Sequence, residues 1–184
     1  MSLEKQKQVF GKVAKEYQKY RRFYDPKLYK LLFKIIKKRY KTNTLSILDL
    51  GCGTGKSTIP LLKMGKHVKV IGCDPDTKML KEARFYAKKS KLPITYITGK
   101  AEKLSFKKDA FNVITVGTAF HWFATPKALR EMRRVLKEKG LIFTYWTMDK
   151  KIAKKTLGVE LYRKYGWKAV PPRLRDPKYV KNLF

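Results

Sequence analysis

Acidic residues are scarce in this chain. Its 184 residues hold 14 Asp and Glu against 45 Lys and Arg, a formal net charge of +31. A surface so basic attracts polyanions and leaves a nucleic-acid partner open. Lysine on the solvated faces of amphipathic helices gives the same excess, and LYKLLFKIIKKRYK and KMLKEARFYAKKSK have that layout. No block resembles an RNA-recognition motif or zinc knuckle, so charge names no partner. Cysteine is rarer still. Cys52 and Cys73 are too few for a disulfide framework, and with 2 His there is no ligand cluster of zinc type; no metal is expected, and the thiols are read as reduced. Long apolar runs are missing as well, since Leu141 to Phe143 and Phe111 to Val116 fall far short of the ~20 residues that span a bilayer. The N-terminal MSLEKQKQVFGKV has charges but no apolar core behind them, unlike a secretory signal. A cytoplasmic protein with no membrane partner is the expectation. Ser/Gly-rich linkers, tandem repeats and low-complexity tails are also absent, which favours one domain over residues 1–184.

The chain does contain two helical patterns followed by an alternation of strands and helices. Val9, Phe10, Val13, Tyr17 and Tyr20 fall at helical spacing between about Leu3 and Tyr20. Asp25-Pro26 then starts a second helix, with Asp as cap and Pro in the first turn. Leu28, Leu31, Leu32, Ile35 and Ile36 are predicted to form its buried face. From Leu45 short apolar runs alternate with helical stretches: LSILDL, a helix holding Ile59, Leu61 and Leu62, then HVKVIGCD. Asp76 caps a helix with Met79, Leu80, Ala83 and Ala87 inward, before ITYIT and FNVITVGT. A helix from Thr125-Pro126 through Leu129, Met132 and Leu136 stops at Gly140 and gives way to LIFTYWT. This rhythm predicts an α/β fold, a doubly wound and mostly parallel sheet of about five strands. Residues 1–44 supply the N-terminal helices, 45–148 the sheet, and 149–184 a helix and basic tail in which no sixth or seventh strand is visible.

GCGTGKST, residues 51–58, resembles a phosphate-binding loop at first sight. With Gly55, Lys56 and Ser57 in place, G-x-x-x-x-G-K-[ST] requires glycine at position 50, which is Leu50. The dinucleotide pattern G-x-G-x-x-G from Gly51 and Gly53 requires glycine at Lys56. What is present is Asp49 followed by Gly51, Gly53 and Gly55 at alternate positions after the first strand, with Asp74 ending the second strand 23 residues beyond Gly51. Glycines let the backbone approach a ligand closely, and a carboxylate at that distance can accept hydrogen bonds from ribose hydroxyls.

The segment DLGCGTG with Asp74 resembles motif I and the ribose-binding acid of class I S-adenosylmethionine-dependent methyltransferases. The likeness continues through DPDTKMLKEAR, GKAEKLSF and ALREMRRVLKEKGLIFTYW, covering roughly residues 9–148. FNVITVGTAFHWF and AKEYQKYRRFYDPKLYKLL are most similar to a small-molecule group that includes trans-aconitate methyltransferase-like enzymes. The resemblance implies a Rossmann-like fold, S-adenosylmethionine as cofactor, S-adenosylhomocysteine as product, and N-terminal helices that help cover the cofactor. It places Asp49, Gly51, Cys52, Gly53 and Gly55 at the methionine end, Asp74 and Pro75 at the ribose, and Ala101 with Glu102 at the adenine edge. Thr118 and Ala119 face the sulfonium side, and Tyr17, Tyr20 and Arg21 are candidates to close over the groove. Many relatives carry Asp before the Ala-Glu pair. This chain has Lys100 there, which leaves adenine to the backbone and Glu102.

His121 and Trp122 follow the fourth strand, where an acceptor would meet the methyl group. His121 is a candidate base or hydrogen-bond partner for an acidic acceptor; its alternative is to pack the pocket wall. The expected reaction is in-line methyl transfer to a small acceptor, with acidic molecules among the candidates. The alternatives are an RNA or other nucleic-acid methyltransferase and a non-catalytic cofactor-binding module. Against the first stands Gly117-Thr118-Ala119-Phe120, where amino-methylating enzymes of nucleic acids often carry an Asn/Asp-Pro-Pro-aromatic sequence. The second draws on the short C-terminal part, because a fifth strand left at the edge calls for a dimer mate, a partner or the tail to cover it. A Cys52–Cys73 disulfide near the cofactor edge is also open at this stage.

Overall fold

The structure is a computed structural model and describes residues 11–21, 23–41, 44–65 and 67–146. The expected start of the first helix near Leu3 and the helix and tail expected over 149–184 lie outside the described residues.

Five strands form one parallel sheet in the order β3-β2-β1-β4-β5. They are β1 (Leu45–Leu50), β2 (Val68–Asp74), β3 (Thr95–Thr98), β4 (Phe111–Gly117) and β5 (Leu136–Tyr145). β1 and β4 are buried almost throughout, as a sheet covered on both faces requires, and this explains their near-continuous apolar runs. Among the described residues the helices are α1 (Ala14–Tyr20), α2 (Pro26–Arg39), α3 (Thr58–Leu62), α4 (Thr77–Lys89) and α5 (Pro126–Val135), with a 3-10 turn at Phe120–Trp122. One face packs Leu32 and Ile36 of α2 and Leu61 of α3 against Ile47, Val70 and Val113. The other packs Ala128 and Met132 of α5 against Leu48, Leu50, Ile114 and Val116. The chain winds outward from β1 to β3 and then returns to β4. Right-handed crossovers on the two sides of that reversal place their helices on opposite faces. The reversal leaves a crevice beyond the carboxyl ends of β1 and β4.

Several local details follow from side-chain chemistry. Asp25 Oδ1 accepts the Lys27 N–H at 2.8 Å and Pro26 opens α2, as predicted. The buried face of α2, however, is Tyr29, Leu32 and Ile36, while Leu31 is 52% exposed. The helix is turned so that the Tyr29 hydroxyl reaches the Ser57 carbonyl at 3.4 Å. In α1 the buried residues are Ala14 and Gln18, and Tyr20 is exposed. The approach to α4 is close at Gly11, where a Cβ would come within 2.7 Å of an Asp76 carboxylate oxygen. α4 buries Met79, Leu80, Ala83 and Ala87, the stripe read from the sequence, and Asp76 caps it by accepting from Lys78 and Met79.

α5 ends at Val135, short of the predicted stop at Gly140. Leu136 already pairs with Phe111, and pairing resumes at Leu141 with Val113. Asn112 therefore stands opposite the four residues Lys137–Gly140. The bulge is fastened at its base: Tyr40 Oη and Arg39 Nε both donate to the Lys139 carbonyl, at 2.9 and 2.6 Å.

Candidate active site

The loop leaving β1 bends through three left-handed glycines, Gly51, Gly53 and Gly55, with φ of 71°, 54° and 81°. At Gly51 a Cβ would lie 2.6 Å from that of Ala119, so glycine is required by contact as well as by conformation. At Gly53 the nearest atom to such a Cβ is Met79 Cε at 3.2 Å. Gly51 and Cys52 both donate their N–H to the Cys73 carbonyl, at 2.8 and 3.2 Å, which stitches the loop to the end of β2.

Asp74 ends β2 and is 9% exposed. Its Oδ2 accepts the Gly53 N–H at 2.8 Å and its Oδ1 the Asp76 N–H at 2.9 Å. Each carboxylate oxygen can take a second donor. Burial pushes the carboxyl up to about 6, against the pull of these two N–H groups; the neighbouring Asp76 and Asp49 carboxylates push it further.

Asp49 occupies a different place from the one expected. It is fully buried and does not line the groove. Its Oδ2 accepts from the Ser57 and Thr58 hydroxyls, both at 2.7 Å, and its Oδ1 from the Thr115 hydroxyl at 3.0 Å. Burial raises its carboxyl and the three hydroxyls oppose the shift. Asp49 thus shapes the loop from behind.

Across the crevice, Thr118 follows β4 with a φ of 54°, and the Tyr24 hydroxyl donates to its Oγ1 at 3.0 Å. Tyr24 stands edge-on to Tyr145, ring centroids 4.8 Å apart. The Arg21 guanidinium lies 6.0 Å from the Tyr17 ring centre, and Lys56 Nζ lies 4.8 Å from that of Phe23. Burial and the nearby Arg21 lower the Lys56 ammonium. Tyr17, Arg21 and Tyr24 are therefore neighbours on the N-terminal side of the groove, with the exposed Tyr20 turned outward.

Pro75 is exposed beside Asp74, Ala101 is buried and Glu102 half-buried. The last two lie in a tight turn closed by an antiparallel bridge between Lys100 and Lys103. His121 and Trp122 are half-buried in the 3-10 turn after β4, ring centroids 4.9 Å apart, with Trp122 packed on the hydrophobic core. The loop glycines, Asp74, Thr118 and Ala119 all come from strand ends around one crevice.

Cys52 packs with Leu80, Ala83 and Tyr96, whereas Cys73 packs with Leu48, Leu50 and Ala101. They lie toward opposite faces of the sheet and both are free thiols, which removes the disulfide left open by the sequence. The Asp49 hydroxyl partners and Tyr24 were missed. Thr115, a polar residue inside an apolar strand, was the available signal for the first. Among the described residues no cluster of His, Cys, Asp and Glu could hold a metal ion, and no helix is long and apolar enough to cross a membrane.

The sequence of residues 47–140 matches the model of a methyltransferase domain family. The chain belongs to this family, the class I S-adenosylmethionine-dependent methyltransferases. It is 33% identical over 167 residues to a demethylmenaquinone methyltransferase of Lactococcus lactis, covering 88% of this chain and 66% of the relative. It is also 33% identical over 137 residues to a demethylmenaquinone methyltransferase of Thermotoga maritima, covering 72% of this chain and 57% of the relative. It thus spans less than two thirds of the length of these curated relatives. A crystal structure of a SAM-dependent methyltransferase from Aquifex aeolicus shares the fold, with a TM-score of 0.60 at 21% identity over 87% of this chain and 88% of that one.

Proposed function

We propose that the chain binds S-adenosylmethionine across the carboxyl ends of β1, β2 and β4 and passes its methyl group to a small acceptor. The observation that carries this reading is the Asp74 carboxylate, fixed by the Gly53 and Asp76 N–H groups with one acceptor position left on each oxygen. A ribose offers two adjacent hydroxyl donors to match. The positive-φ loop keeps side chains out of the adjoining space, so the residues present fit this cofactor.

When bound, the cofactor supplies an electrophilic methyl group on a sulfonium, which an acceptor lone pair takes in line while the C–S bond electrons pass to sulfur, leaving S-adenosylhomocysteine. Arg21 supplies positive charge for the methionine carboxylate, and Thr118, steadied by Tyr24, forms the sulfonium side. Ala101 and Glu102 border adenine. His121 and Trp122 border the acceptor, with His121 hydrogen-bonding an acidic group or taking a proton. Alignment of nucleophile, methyl and sulfur is the main contribution of such a site. Two relatives are demethylmenaquinone methyltransferases, which supports a small-molecule acceptor over a polymer.

Calorimetric titration with S-adenosylmethionine and S-adenosylhomocysteine tests the site, and absence of binding to both overturns it. Transfer of labelled methyl to carboxylic acids, quinones and RNA then tests the acceptor. Incorporation into RNA alone, with steeply salt-dependent binding, would make the chain a nucleic-acid enzyme, and binding without turnover would make it a cofactor-binding module.

A further inference from the structure

The turn bearing Ala101 and Glu102 is fastened from outside the groove. Arg134, near the end of α5, donates Nη1 to the Phe106 carbonyl and Nη2 to the Leu104 carbonyl, both at 2.8 Å. Its Nε and Nη2 grip Glu131 Oε1 and Oε2 at 2.7 and 2.9 Å. Glu131 Oε2 in turn accepts the Leu104 N–H at 2.8 Å. One guanidinium and one carboxylate, a helical turn apart, thereby satisfy both backbone groups of Leu104 and the carbonyl of Phe106. On the other side of the turn, Gly99 donates its N–H to the Asp74 carbonyl at 3.2 Å. The stretch from Gly99 to Leu104 is thus suspended between the end of β2 and α5.

We infer that Arg134 and Glu131 are positioning residues for base recognition: they hold Ala101 and Glu102 where an adenine is read, although neither touches the ligand. This rests on the proposed S-adenosylmethionine site. The planar five-donor guanidinium suits the task, because it can meet a carboxylate and two carbonyls at once in fixed directions, which lysine cannot. With lysine at position 100 in place of a carboxylate, the acidic side chain left in the turn to accept from the adenine amino group is Glu102. Its contribution depends on where the turn is held.

The test compares S-adenosylhomocysteine with S-inosylhomocysteine, in which a carbonyl replaces the amino group. In the wild type, inosine turns an oxygen toward Glu102 and binds more weakly. In Arg134→Gln, affinity for S-adenosylhomocysteine falls about tenfold and the preference for adenine over inosine approaches unity. Glu131→Gln keeps an acceptor for the Leu104 N–H but loosens Arg134, so it loses part of the preference. If either variant retains the full preference, or the wild type has none, the inference is overturned while the cofactor site stands. If the wild type binds neither compound, the cofactor site itself fails. Hydrogen exchange supplies a second readout: without ligand, amides 101–104 must exchange faster in Arg134→Gln than in the wild type, and equal exchange counts against the inference.

Discussion

The Asp74 carboxylate accepts the Gly53 backbone N–H at 2.8 Å, so the tip of β2 and the loop leaving β1 are one hydrogen-bonded unit. A ligand hydroxyl added to this carboxylate favours its ionised form. Because burial has raised the group to about 6, affinity for S-adenosylhomocysteine weakens as pH falls through that value. Asp74→Asn removes the titration and gives weaker binding that is flat between about pH 5 and pH 8. A flat wild-type profile over the same range would take Asp74 out of the site. The stability effect has the opposite sign: the folded carboxyl holds its proton more tightly than the unfolded chain, whose reference is 3.8. Its cost to the fold is fully present above about pH 6 and fades as pH falls toward 4.

Asp49 and its three hydroxyls form a second unit beneath the loop. Thr115→Val keeps the shape and removes one bond to a buried carboxylate, lowering stability by about 1–2 kcal/mol. Asp49→Ala leaves three buried hydroxyls without their acceptor and costs about 3 kcal/mol or more. Urea denaturation measures both. Equal stability of Asp49→Ala and wild type would show that the hydroxyls find other partners.

The loop glycines differ in what surrounds them. Gly51→Ala drives a methyl group into Ala119 at a φ of 71° and destabilises the fold by about 2–3 kcal/mol. Gly53→Ala has more room, with Met79 Cε at 3.2 Å able to shift. It costs the fold about 1 kcal/mol from its positive φ, while its methyl group narrows the groove. Melting temperatures should rank Gly53→Ala above Gly51→Ala, and both should bind S-adenosylhomocysteine poorly.

Tyr24→Phe removes the 3.0 Å bond to Thr118 Oγ1 but keeps the ring against Tyr145. Loss of one neutral hydrogen bond costs about 1 kcal/mol. Since the freed Thr118 lies at the proposed sulfonium side, the loss should appear in the methyl-transfer rate more than in cofactor affinity. Steady-state kinetics on an identified acceptor separates the two, and an unchanged rate would leave Tyr24 with a packing role.

The features easiest to read in the sequence were those set by short-range chemistry. Apolar strands, the capped starts at Asp25, Asp76 and Thr125, and the alternate glycines all follow from residue type and spacing. The missing details depend on partners far along the chain. Leu31 and Leu32 are equally apolar, but Tyr29 reaching Ser57 turns α2 so that only Leu32 is buried. α5 ends at Val135 because Leu136 gains a ladder partner in Phe111, although LKEK continues the helical pattern. Asp49 invites a ligand-facing reading until Thr115, its neighbour across β1 and β4, is seen to donate to it. Arg134 is one of many basic residues in the sequence; what sets it apart is a grip on Glu131 combined with the Leu104 and Phe106 carbonyls.

The burial of the two cysteines bears on self-inflicted chemistry. A groove proposed to hold a transferable methyl group exposes nearby nucleophiles to alkylation, and a thiolate would be foremost among them. Burial, reinforced by the Asp74 and Asp49 carboxylates, pushes the Cys73 thiol up to about 12 and the Cys52 thiol well above its ordinary value. Both sulfurs therefore stay protonated at neutral pH, so neither offers a thiolate to a methyl donor in the proposed groove.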